Sequence, residues 1–303
     1  MAAHIKIEEL EQYKNMELLA RQVVEGFITG LHKSPFHGFS VEFSEHRVYN
    51  PGESTRHIDW KLLGRSDKLF VKRYEDETNL RCHLVIDTSS SMYYPQNTLN
   101  KIKFSVYAAA AITYMLRKQR DAFSVSLIND GVKYTTPARS TLSHQQIIFN
   151  KLDEVLAAQP EHVHSNIAHS LHQLAETMHK RSLVVIFSDM MEDPNNMEEL
   201  FGALQHLRFM KHEVILFHVA HKETELQFEF SNRPFLFEDI ETGETLKIMP
   251  TQVKEHYLQQ MTDFKTALME TCRKYKVEYN EAFVSDDFNQ VLLPFFVKRA
   301  GLK

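Results

Sequence analysis

The sequence predicts an α/β protein: an open, mostly parallel sheet covered by helices on both faces, with a small β-containing lobe on its N-terminal side. Three observations predict it. Two short runs, LRCHLVID (80–87) and SLVVIFSD (182–189), are apolar almost throughout. Strands buried on both faces of a parallel sheet read this way. Between and after them lie segments whose apolar residues recur at spacings of three and four, the period of an amphipathic helix. Strand and helix then alternate to the C-terminus, the order that builds a parallel sheet through crossover helices.

Taken in order, residues 5–30 read as a helix. From Phe36 to Tyr74 the character changes to short alternating runs with turn signals at Asn50 and Pro51-Gly52, and a short helix near Trp60. The strand at 80–87 follows, then a helix over 99–118 with one apolar stripe of Ile102, Val106, Ala109, Ala110, Thr113 and Leu116. A strand at 122–129 leads into the turn Asn129-Asp130-Gly131, a helical segment at 143–157, and a helix at 166–178. The second buried strand precedes a helix at 196–208 and a strand at 213–219. Residues 235–250 read as two short strands joined through Glu241-Thr242-Gly243-Glu244, where glycine permits positive φ. A long helix over 252–274 repeats Val253, Tyr257, Met261, Phe264, Leu268 and Cys272 on one face. A strand at 276–284 and a helix at 287–298 complete the pattern. The expected division is 1–79 for the helix and small lobe, and 80–303 for the α/β domain with a hairpin insertion near 234–250.

The 303 residues suffice for a sizeable core, and 43% hydrophobic with 25% charged residues is ordinary for a globular protein. The formal net charge of −5 provides no global basic field for nucleic acid. Cys82 and Cys272, the two cysteines, both fall in apolar patterns and are expected as buried free thiols, which fits a reducing compartment. The N-terminus carries no apolar signal core, and no run reaches the 18 or so residues of a membrane span. We therefore expect a cytoplasmic protein without a transmembrane segment, with room for a peripheral position at the inner membrane through partners.

The chemistry concentrates at the end of the first central strand, in Asp87-Thr88-Ser89-Ser90-Ser91. Ligands of open α/β sheets bind beyond the carboxyl ends of the strands. Ser89 and Ser91 alternate in the loop that follows Asp87, so their hydroxyls can converge. One carboxylate and two hydroxyls are hard oxygen donors, suited to Mg²⁺ or Mn²⁺ and poorly suited to Zn²⁺. Alternatively, the serines cap the next helix. Asp189 arrives at the end of the second buried strand in a placement equivalent to Asp87, and Ser165 offers a third hydroxyl ahead of the helix at 166. The competing reading makes Ser165 or Asn166 an N-cap and Asp189 the start of a polar loop.

This set resembles the metal-ion-dependent adhesion site of von Willebrand factor A-like domains. From about residue 20 onward, the chain resembles a bacterial family of uncharacterised proteins associated with MoxR-type AAA+ ATPases. The narrower likeness rests on YNPGESTRHIDWKLLGRSDKLFVKRYEDE (49–77), LVIDTSSSM (84–92) and FEDIETGETLKI (237–248). The family hallmark is present as Pro51, Gly52, Glu53, Arg56, Ile58, Asp59, Trp60 and Arg65. By that resemblance, Ser89 and Ser91 ligate Mg²⁺ or Mn²⁺ directly and Ser165 is the distal hydroxyl. Asp87 and Asp189 hold the ion directly or through waters. A carboxylate from a protein partner completes the coordination sphere. Where the family carries Gly-Gly-Thr, this chain has Val163-His164-Ser165, which keeps a hydroxyl and loses the glycines. The implied role is that of an adaptor or chaperone-like partner of a MoxR-type AAA+ ATPase, acting on an unidentified protein client.

Other chemistries lack their signatures. No G-x-x-x-x-G-K-[ST] loop, G-x-G-x-x-G fingerprint or G-x-S-x-G elbow occurs, so we expect no enzyme, no catalytic residue and no cofactor site beyond the metal. Arg56, Asp59, Trp60 and Arg65 are expected to hold a lobe interface or form a second binding surface. Among seventeen histidines, the group His162, His164, His169 and His172 lacks a zinc-site pattern, and His212, His218 and His221 read as surface or cap residues. Two rivals remain at this stage: a metal-independent structural scaffold, and an Mg²⁺-dependent hydrolase using the same residues.

Overall fold

A computed structural model describes residues 15–31, 46–48, 70–72, 80–95, 100–160, 165–192, 196–240 and 243–300. The chain divides into two compact units, one formed by Met1–Leu31 with Leu80–Lys303 and the other by His32–Asn79. In the smaller unit the described residues are β1 (His46–Val48) and β2 (Phe70–Lys72), an antiparallel pair. Arg56, Asp59, Trp60 and Arg65, the short helix near Trp60 and the turn at Pro51-Gly52 lie outside the described residues.

Among the described residues, the first element of the larger unit is α1 (Met16–Leu31). From residue 80 the order is β3 (Arg81–Asp87), α2 (Lys101–Lys118), β4 (Ala122–Ile128), β5 (Val132–Thr135), α3 (Leu142–Ala157), α4 (Ile167–Thr177), β6 (Leu183–Ser188), α5 (Met197–Phe209) and β7 (Glu213–Ala220). A hairpin of β8 (Phe235–Glu238) and β9 (Thr245–Ile248) comes next, then α6 (Pro250–Tyr275), β10 (Glu278–Phe283) and α7 (Phe288–Ala300).

The sheet runs β10-β7-β6-β3-β4-β5, parallel except for β5, which pairs antiparallel with β4. After β3 the chain builds outward on one side through β4 and β5, then returns to lay β6 on the other side of β3. The carboxyl ends of β3 and β6 therefore flank the topological switch point, where open α/β sheets bind ligands. This doubly wound, mostly parallel sheet with one antiparallel edge strand is the von Willebrand factor A-like arrangement expected.

The two-residue period of the strands sorts the core into two layers. Cys82, Leu84 and Ile86 of β3, Leu183, Val185 and Phe187 of β6, and Ile215, Phe217 and Val219 of β7 join one cluster with α1, α2, α3 and α7. Val85, Val184, Ile186, Val214 and Leu216 point to the other, with α4, α5 and α6. Cys82 and Cys272 are free and buried.

Three expectations are corrected. The strand Val132–Thr135 was not anticipated; its alternating half-buried and exposed residues give a weak apolar signal, and it is held by pairing with β4. Helix α2 buries every residue from Ile102 to Leu116 apart from Lys103, not one stripe, because α1 and α3 pack over the side it turns away from the sheet. Its Ala108–Ala111 run lets neighbours approach closely from all sides. On α6 the predicted face is only half-buried up to Phe264, and becomes fully buried at Leu268 and Cys272. The hairpin forms as expected, with Gly243 at φ 73° donating its N–H to Asp239 O at 2.8 Å. Among the described residues, no helix is long and apolar enough to cross a membrane.

Candidate metal centre

Strand β3 ends on Asp87, which is fully buried. Its Oδ1 accepts the Ser89 N–H at 2.9 Å, and its Oδ2 accepts the Ser188 hydroxyl at 2.6 Å. The loop is pinned to the neighbouring strand by Thr88, whose N–H and hydroxyl both donate to Ile128 O. Ser89 heads a 3₁₀ turn over Ser90–Tyr93 without making a side-chain cap bond. Helix α2 is capped instead by Asn100, whose side chain accepts the Lys103 N–H at 3.1 Å. Capping of the next helix therefore does not account for Ser89, whose Oγ lies 3.1 Å from Ser91 Oγ.

Asp189 follows β6 directly and is fully buried. Its Oδ1 accepts the Met191 N–H at 3.1 Å, and the Ser91 hydroxyl also donates to this carboxylate. Met190, next in the chain, sits in the left-handed region at φ 53°, a conformation that costs a non-glycine residue on the order of 1 kcal/mol. Donation of its N–H to Ser188 Oγ at 2.8 Å helps hold it there. Asp87, Ser89, Ser91 and Asp189 thus form one hydrogen-bonded group at the switch point. Ser165 precedes Asn166, which is the N-cap of α4 through its bond from His169 N–H at 2.8 Å. The Asn166 N–H donates to Asn129 O, and the Ile167 N–H donates to Glu192 Oε2 at 3.0 Å. These bonds tie the Ser165 loop to the segments following β4 and β6. Val163 and His164 lie outside the described residues.

Sequence reasoning missed four polar groups here: Lys101, Glu225, Ser188 and His218. Lys101, the first residue of α2, is fully buried, with Nζ 2.8 Å from Asp189 Oδ2 and in direct contact with Glu225 Oε1. Its signal was the start of α2, where Lys101 and Lys103 face an unfavourable helix dipole with no acid in the first turn. Ser188 was readable as the hydroxyl beside Asp189 at the end of SLVVIFSD. His218 reaches the site from β7, its Nε2 3.0 Å from Asp189 O and its Nδ1 2.6 Å from Tyr279 Oη. A carbonyl only accepts, so Nε2 carries the proton and Tyr279 donates to Nδ1.

Burial, then repulsion from Asp189, raises the Asp87 carboxyl to about 7, against the pull of its serine bonds. Burial also pushes Asp189 upward, but the Lys101 charge and hydrogen bond, with the Met191 and Ser91 donors, outweigh it and hold Asp189 below the usual range. Burial lowers His218 to about 4, which keeps it neutral.

The donor set fits a hard divalent cation. Adjacent ligands of an octahedral Mg²⁺ with bonds of about 2.0–2.1 Å stand about 2.9 Å apart, close to the Ser89–Ser91 separation. Asp87 accepts the Ser89 N–H, the Ser188 hydroxyl and a further bond from the Ser89 side chain, which holds that hydroxyl against the carboxylate. Among the described residues no group of three or more His, Cys, Asp or Glu side chains is arranged for a metal. His172 Nδ1 meets His206 Nδ1 at 2.9 Å, joining α4 to α5, while His162 and His164 lie outside the described residues. His212 and His218 are buried and not surface residues as expected, because each bonds within the core: Ser182 N–H to His212 Nδ1, and His218 as above.

The strand order, with two aspartates and a serine loop gathered at its switch point, defines a von Willebrand factor A-like α/β protein. The chain belongs to the DUF58 family of proteins of unknown function, whose profile matches residues 45–267. It is 27% identical over 187 residues to uncharacterized proteins of Mycobacterium tuberculosis (strain H37Rv) and Mycobacterium bovis. That alignment covers 62% of this chain and 59% of each relative's length. Among solved structures it is similar to the conserved hypothetical protein BatB from Bacteroides thetaiotaomicron, at TM-score 0.43 and 11% identity over 73% of this chain and 99% of that one. It is also similar to an aerotolerance-related membrane protein from Bacteroides fragilis, at TM-score 0.47 and 10% identity over 74% and 100%. The PilB minor pilin from Streptococcus sanguinis gives TM-score 0.44 and 9% identity over 77% and 64%.

Proposed function

We propose that this chain is a metal-dependent protein-interaction module that serves as an adaptor or chaperone-like partner of a MoxR-type AAA+ ATPase. The observation that carries the metal part is the pair of serine hydroxyls 3.1 Å apart, linked to two buried aspartates at the switch point. Asp87, Ser89, Ser91, Ser165 and Asp189 hold Mg²⁺ or Mn²⁺, and the bound ion offers an open position to a carboxylate of the protein client. The ion's charge makes that contact strong because the site only partly neutralises it. The ATPase partner rests on the family resemblance carried by Pro51 to Arg65 and by residues 84–92. In this reading the chain is not an enzyme, and it works on the cytoplasmic side, at the membrane only through partners.

The test is calorimetric titration of Mg²⁺ and Mn²⁺ into the purified chain, followed by binding to a purified MoxR-type ATPase from the same organism. Saturable metal binding, lost in Asp87→Ala while the variant stays folded, is the expected result. ATPase binding should fall with chelation and with the same substitution. ATPase binding unchanged by both treatments would favour a metal-independent scaffold, a reading helped by the cation that Asp189 already holds in Lys101. Turnover of a phosphoester or peptide by the chain alone, abolished in Asp87→Ala, would favour the hydrolase.

A further inference from the structure

Lys101 is a fully buried ammonium, and a buried charge survives only with partners that replace its water. Here the partners come from two separate elements. Asp189 follows β6, and Glu225 lies in the turn Lys222–Leu226 after β7. The other Glu225 oxygen, Oε2, accepts the His221 N–H at 2.7 Å, which fixes that carboxylate in place. Burial lowers the lysine's proton affinity, but the two carboxylates outweigh it, so the ammonium stays charged. Lys101 is thus the cation of a connected buried cluster that also holds the Asp87, Asp189 and Glu225 carboxyl groups.

We propose that Lys101 is a resident counter-cation that positions Asp189 and sets the strength of the metal site. Asp189 Oδ2 is committed to the ammonium, Oδ1 accepts the Met191 N–H, and the Ser91 hydroxyl links the same carboxylate to the serine loop. A divalent ion therefore binds against a fixed positive charge and binds more weakly than three uncompensated carboxylates would hold it. In return, the ammonium lessens the negative charge that meets an incoming carboxylate. This inference rests on the metal-site reading above. A purely mechanical role for Lys101, tying α2 to β6 and to the Glu225 turn, predicts instead that removing it loosens the site and weakens the ion.

The experiment is Mn²⁺ titration by calorimetry at low ionic strength on the full chain, with folding checked by circular dichroism and a cooperative melt. Lys101→Met is expected to bind Mn²⁺ roughly tenfold tighter than wild type, the scale of one unscreened charge near the ion. Lys101→Arg, which keeps the charge, should stay within about twofold. The second comparison guards against misfolding of Lys101→Met: Glu225→Gln against Lys101→Met/Glu225→Gln, where an apolar group replaces the ammonium beside a neutral partner. The double variant is expected to bind tighter than Glu225→Gln alone. Equal or weaker binding in a folded Lys101→Met, or in the folded double variant against its reference, overturns the proposal. Wild-type binding that is lost in Asp87→Ala, with no gain in the Lys101 variants, sinks the counter-cation and spares the metal reading. No binding by wild type, with binding by the Lys101 variants, does the reverse. No binding by any form sinks both.

Discussion

Neither oxygen of the Asp87 carboxylate faces an empty interior, since Ser89 N–H and the Ser188 hydroxyl each occupy one. Ser188 in turn accepts from Met190 N–H, so one hydroxyl secures both the carboxylate and the strained residue after Asp189. Ser188→Ala is expected to cost about 1–3 kcal/mol in the absence of metal, because a buried carboxylate and a backbone N–H each lose a partner. Urea denaturation of the two proteins measures this, and a difference under about 0.5 kcal/mol would count against it. At this scale Asp87, Ser89, Ser91 and Asp189 were legible because strand ends fix where a side chain goes. Lys101, Glu225 and His218 were not, because their contacts span 29 to 124 residues of sequence and leave no local spacing to read. A second buried group gives a pH prediction. Burial, with repulsion from His212, Arg81 and His179, lowers His83 to about 4, and its Nε2 finds no hydrogen-bond partner among the described residues. The unfolded chain takes up this proton near pH 6.5, whereas the folded one waits until about 4. Stability is therefore fully present above 6.5 and falls as pH drops through that window. At pH 5 the loss from this group amounts to about 2 kcal/mol. His83→Gln should lose about that much less between pH 7.5 and pH 5 in denaturant titrations, and an unchanged pH slope would remove His83 as the cause.

Among the elements, the periodic segments were readable and the cooperative ones were not. Helices α3, α4 and α5 lie within a residue or so of their expected bounds, since each buries one face and carries its own cap or polar start. Strand β5 escaped because an edge strand with exposed alternate residues has no continuous apolar run; its register comes from β4. Helix α2 escaped in a different way. A stripe read from spacing says which face meets the sheet, not whether other helices later cover the remainder, as α1 and α3 do. The start of this helix matters to the site because Lys101 is its first residue and Asn100 its cap. Asn100→Ala removes the acceptor for Lys103 N–H and is expected to destabilise the domain by about 1 kcal/mol. Asn100→Asp should restore most of that loss, since a carboxylate caps equally well and meets the positive end of the helix. Chemical denaturation of the three proteins decides it: equal stability of Asn100→Ala and wild type would mean the cap contributes nothing.

For the whole molecule, the alternation of strands and helices gave the class of sheet, and the resemblance gave its closer kinship, but strand order depends on long-range pairing that composition does not encode. What local reasoning could place was the switch point, because two apolar runs ending in aspartate implied two central strands with a shared carboxyl edge. The grouping of the N-terminal helix was less accessible. Reading along the chain joined it to the segment that follows, whereas α1 clusters with residues 80–303. Met16, Leu19, Val23, Val24 and Phe27 are buried in the core layer shared with α2, α3 and α7, and the Phe27 ring lies 5.0 Å from that of Phe296. Glu17 and Glu25 add bonds to Gln146 and Lys118 at the margins. Burial of a large apolar side chain is worth about 1.5–3 kcal/mol, so these five together contribute about 7–15 kcal/mol as an upper bound. A typical domain has only about 5–15 kcal/mol in total. A chain beginning at His32 is therefore expected to lack a cooperative thermal transition, or to melt at least about 15 °C below one beginning at Asn15, and to bind a hydrophobic dye through the uncovered face of α2. Adding a peptide of residues 15–31 in trans should recover part of the transition, because the helix acts by covering that face and not by its covalent link. If the shorter chain melts within a few degrees of the longer one, α1 is an accessory to the domain, and residues 80–303 hold their core without it.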